Sequence, residues 1–140
     1  MRGNKRMQKR QVSVIGKTAY ALMVGVMGTL LVTLFLLTFL HSFEAMRFVP
    51  WIFGFTSALT GYNLIQKAGQ LIRNKGLFCL GTGLASAILV FLLLNLLFFY
   101  FTSATVFGLG DLLLFSGIGM LSCGLGALLA LKYVDLKKKT

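Results

Sequence analysis

The sequence predicts an all-α membrane protein: four transmembrane helices in a small antiparallel bundle, with both termini in the cytoplasm. Three observations predict it. Charged residues make up 12% of the 140 residues and hydrophobic ones 57%, whereas a soluble domain carries about 25% charge. Charge-free runs recur at bilayer length along the chain. The 14 basic residues, against 3 acidic ones, gather at one set of run ends. A net charge of +11 in a soluble chain would point to nucleic acid. At the ends of apolar runs the same charge is a topology signal, so the bilayer is the expected partner and nucleic acid is not.

The elements follow in order. Residues 1–17 form a basic cytoplasmic tail, and residues 18–40 carry no charge. At about 1.5 Å per residue this first span reaches about 34 Å, enough for a hydrocarbon core of about 30 Å. The basic tail resembles the n-region of a signal peptide. However, the apolar run exceeds the usual h-region of about 7–15 residues and "TFLHSFEA" is a poor cleavage site, so a retained helix is expected. The outer loop "HSFEAMRFVP" is short, and Glu44 and Arg47 can pair there for about 0–1 kcal/mol. His41, the one histidine, reads as a polar interfacial residue capping the first span rather than a pH sensor or metal ligand, since no Cys, Asp or second His stands near it in sequence.

The second span covers 48–66, with Pro50 expected in the first turn, where a missing N–H costs nothing. Residues 76–110 are too long for one helix and divide into a third span, 76–101, and the turn "TSATVFGLG". The fourth span covers 112–131. Asp111 is expected as its N-cap, accepting from unpaired backbone N–H groups at the positive helix end; the alternative is a cation site. Residues 132–140 form a basic cytoplasmic tail.

Charge sets the orientation. Six basic residues precede the first span, Lys67, Arg73 and Lys75 lie between spans two and three, and four follow the last span. Only Arg47 falls on the other side. The positive-inside rule makes the basic side cytoplasmic, with Lys17, Lys67, Arg73, Lys75 and Lys132 as topology determinants. Trp51, Tyr100 and Phe101 outside, with Tyr62 and Tyr133 inside, fit interfacial belts. So strong a bias argues against dual-topology insertion.

Small residues at a spacing of four recur in every span: Gly25 and Thr29; Gly54 and Ala58, Ser57 and Gly61; Gly81 and Ala85, Gly83 and Ala87; Gly119, Cys123 and Ala127, Ser122, Gly126 and Ala130. Each series lays a groove along one helix face, where close approach drives association in lipid. The grooves pack the bundle itself, or a surplus one, with helix four the candidate, joins a homo-oligomer or another membrane protein. Asn95, deep in the third span, is expected to hydrogen-bond across helices or to line a polar pathway. Cys79 and Cys123 lie within spans and read as small hydrophobes with no redox role.

The spans hold no Asp, Glu, Lys, Arg or His of the kind ion-coupled transport uses, and no phosphate loop, nucleophile elbow or metal-ligand cluster appears. No enzyme activity and no cofactor are therefore expected. The segments "FGFTSALTGYNLIQKAG", "LIRNKG" and "LFCLGTGLASAILVFLL", within about residues 54–93, resemble the YrzE-like family of small four-helix membrane proteins of Firmicutes. That resemblance implies an integral membrane protein and carries over no catalytic or binding residues. The leading expectation is a non-catalytic protein acting through helix packing and interaction. The alternatives are a small transporter or channel component and a holin-like pore former.

Overall fold

The computed structural model describes residues 2–139, which form four helices: α1 (Arg2–Phe39), α2 (Ser42–Ala68), α3 (Lys75–Thr102) and α4 (Leu109–Lys139). α1, α3 and α4 are long and apolar enough to cross a membrane. Their outer faces are apolar: Met23, Leu31, Phe35, Leu92, Leu96, Leu113 and Leu121 are all exposed. In water such faces would be a liability; in lipid they are the ordinary outer surface of a bundle.

α2 falls outside that apolar set. Thr56, Ser57, Thr60 and Gly61 are buried in the middle of the helix. The three hydroxyls among them are turned toward the other helices, and α2 packs on all three of those helices.

Helix ends differ from the sequence expectation in four places. The basic tail is a helical continuation of α1, and the C-terminal basic segment continues α4. α2 starts at Ser42, so Pro50 lies inside the helix rather than in its first turn. His41 stands at the N-cap position of α2 with extended backbone and no side-chain cap bond; its carbonyl accepts from the N–H groups of Glu44 and Ala45. α4 starts at Leu109, which moves Asp111 from the cap into the first turn. There its carboxylate accepts from the Gly108 N–H at 2.9 Å. This is the return half of a capping box, in which an acid inside the helix satisfies the N–H just before it.

The turnarounds are short. Gly69 ends α2 in ordinary right-handed conformation, so the reversal falls on residues 70–74. Ser103 ends α3 at φ 55°, a left-handed stop that few non-glycine residues adopt, with its N–H bonded to the Phe99 carbonyl.

α4 packs most extensively on α2, then on α3; α1 leans on α2 with less contact on α3, and among the described residues the α1 and α4 backbones do not approach closely. Two apolar clusters result. One holds Ala21, Leu64, Ala68, Cys79, Cys123 and Ala130; the other holds Val49, Phe53, Val90, Leu94, Phe98 and Phe115. Between them, on α2, α3 and α4, lies a buried layer of small and hydroxylated residues.

Candidate functional site: a glycine junction of three helices

Gly119 is the centre of that layer. On it converge Ser57 and Phe53 from α2, and Gly83 and Ala87 from α3. The Ser57 hydroxyl donates to the Gly119 carbonyl at 3.0 Å. A Cβ placed on Gly119 would stand 2.6 Å from the Gly83 carbonyl oxygen and 3.1 Å from the Phe53 ring. A Cβ on Gly83 would meet the Gly119 backbone in turn. Neither position tolerates a side chain without displacing a helix, because the obstacle is backbone rather than a movable side-chain tip.

The same contact continues along α2 and α4. Gly61 faces the backbone of Cys123, and Gly126 faces the backbone of Ala58. Gly54 meets Ile118 and Ser122 in ordinary van der Waals contact. Residue numbers rise together along this pair, so four predicted packing positions of α2 (Gly54, Ser57, Ala58, Gly61) and four of α4 (Gly119, Ser122, Cys123, Gly126) form one seam. Ala127 is buried in the cluster beside it. The α4 groove is thus filled from within the chain.

Gly81 does not join them. Nothing lies within 4 Å of where its Cβ would stand. Ala85, one turn on, is only half-buried. Gly81 and Gly83, two residues apart at about 100° each, lie on nearly opposite faces of α3, and only the Gly83–Ala87 face meets α4.

Hydroxyls line the α1–α2 contact, and of these sequence reasoning named only Thr29. The Thr29 and Thr56 hydroxyls bond each other at 2.6 Å, and Gly25 leaves room for the Thr60 side chain. Thr33, Thr60, Thr82 and Ser86 are buried as well, each donating to a backbone carbonyl three or four residues earlier. Among the described residues no buried side-chain N or O lacks a partner. A clue was present: threonine recurs at positions 29 and 33 and at 56 and 60, one helical turn apart, but the same spacing suits a lipid-facing threonine that bonds its own helix.

Asn95 makes its bond to a loop rather than to a helix. Its side-chain oxygen accepts from the Phe107 N–H at 3.1 Å. Phe107 stacks edge-on against Phe98 and Phe115, and Phe115 against Phe53. The α3–α4 connection is thereby pinned over one end of the bundle by one amide and a chain of aromatic rings, a geometry worth about 0.5–1.5 kcal/mol per pair beyond area burial.

Basic residues collect at the other end. The Lys17 ammonium donates to the Lys67 carbonyl at 3.0 Å, and the Lys67 ammonium lies 3.8 Å over the Tyr20 ring. Lys17, Lys67, Lys75 and Lys138 line one cleft there with Asp135. Arg73 lines a different cleft at this end, and Lys132 is exposed on α4. Cys79 and Cys123 are buried with their thiols against one another, joining α3 to α4. Among the described residues no group of three or more His, Cys, Asp or Glu side chains forms a metal site.

Comparison with family models, with curated proteins and with solved structures returns no match for this chain.

Proposed function

We propose that the chain is a four-span protein of the bacterial cytoplasmic membrane, with helices alternating in direction and both termini cytoplasmic, acting without catalysis through interaction with itself or another membrane protein. The observation that carries this reading is the junction at Gly119. Its polar groups are spent on backbone carbonyls and its glycines on backbone contact. A transport path or pore would instead hold polar side chains aimed into an open cavity.

Two further observations support the topology. α2 has 27 residues, about 40 Å of helix, and stays uncharged over 48–66. Lys17 of α1 and lysines from the ends of α2, α3 and α4 line one cleft, in keeping with a positive-inside arrangement. The YrzE-like resemblance belongs to the same proposal. Since the α4 groove is filled, a partner would bind the outer faces of the helices.

Crosslinking and affinity capture in native membranes tests the interaction reading; recovery of the monomer alone at every crosslinker length would remove it. Reporter fusions after Lys139 and near Glu44 test the topology, with cytoplasmic and external signals expected respectively.

A further inference from the structure

A cleft of about 800 Å³ opens between the N-terminal half of α1 and the start of α3. Arg10 and Gln11 from α1, with Arg73 and Asn74 from the α2–α3 connection, stand among its lining residues. The rest of the lining is apolar, including Val14, Ile15, Leu77 and Phe78. Gly81 lies on this wall with open space at its Cβ. Among the described residues neither arginine has an ion-pair or hydrogen-bond partner. None of the three acidic residues, Glu44, Asp111 and Asp135, lines the cleft.

We infer that this cleft binds one anionic phospholipid, its phosphate held by Arg10 and Arg73 and its upper acyl chain laid along Val14, Leu77 and the open face at Gly81. The chemistry matches part by part. A guanidinium fork suits a phosphate oxygen pair, and two arginines without a local acid leave net positive charge to be met. Basic pockets between membrane helices on the cytoplasmic side are suited to anionic headgroups. The apolar lining suits a chain that a free phosphate lacks. The neighbouring lysine cleft is the weaker candidate: Lys17 and Lys67 are already engaged, and Asp135 supplies a counter-charge within the same lining.

The inference rests on the membrane-spanning reading, which fails separately if alkaline carbonate strips the chain from membranes. The test of the lipid site is native mass spectrometry of the full chain in neutral detergent, offered dioleoylphosphatidylglycerol, dioleoylphosphatidylcholine or sodium phosphate. One phosphatidylglycerol should be retained, about tenfold over phosphatidylcholine, and retention should fall about fivefold for each arginine removed in R10Q and R73Q. K137Q/K139Q, which removes equal charge outside the cleft, should stay within about twofold. G81F, which fills the apolar wall and leaves the charge intact, should also lose the lipid. Equal retention of the two lipids, equal loss in K137Q/K139Q, full retention in G81F, or displacement of the lipid by sodium phosphate alone would each overturn the assignment.

Discussion

Two sides of the same bundle are built by opposite means. The α2–α4–α3 side brings backbones together at Gly61, Gly83, Gly119 and Gly126, where even one carbon would collide. The α1–α3 side stands apart, held through α2 by a pair of threonine hydroxyls and opening at one end into an arginine-bearing cleft. Glycine is present on both sides: Gly83 is sealed and Gly81, two residues away, is open. In lipid, where burying apolar surface gives no net drive, the difference matters. Close contact supplies stability on one side, and what is left unpacked on the other is room for a ligand.

The largest effect should come from closing the tight seam to its glycines. Gly126→Leu puts a side chain against the Ala58 backbone and should cost about 3 kcal/mol, the upper end of ordinary overpacking. Steric-trapping unfolding in bicelles would read it; stability unchanged from wild type would break the comparison. Asn95→Leu removes the acceptor for the Phe107 N–H and should cost about 1 kcal/mol, seen as faster proteolysis of the α3–α4 connection. Thr56→Val removes the hydroxyl bridge to Thr29 and should cost about 0.6 kcal/mol, in line with other hydrogen bonds between membrane helices. Crosslinking between single cysteines on α1 and α2 would report that loosening. Gly81→Leu sharpens the contrast most: on the open side it should shift stability by less than about 0.5 kcal/mol. A loss as large as that of Gly126→Leu would mean that the two sides are not different.

Much of the architecture was legible because lipid imposes simple rules on sequence. Runs such as 18–40 and 112–131 declare helices by their length and lack of charge. Spacing-four small residues mark a face on α4, and Gly119, Cys123 and Gly126 are buried there. Helix ends were less legible. The charge that ends a span does not end a helix, so α1 and α4 continue as helices through their basic segments. Pro50 was misplaced for the same reason: α2 begins before the apolar run does. Asp111 was read as a cap that accepts from N–H groups after it; from inside the first turn it accepts instead from the Gly108 N–H ahead of the helix.

The sequence by itself determined the helical class and the helices apolar enough to cross a membrane, because each depends on composition along one segment. Only the tertiary structure decided which of two opposed glycine faces of α3 would be sealed, because a spacing of four marks a groove without saying what packs against it. It also decided that the threonines of α1 and α2 meet, that Asn95 holds a loop, and that Arg10 and Arg73, far apart in sequence, line the same cleft. Those are relations between segments, fixed by how closely the helix backbones can approach.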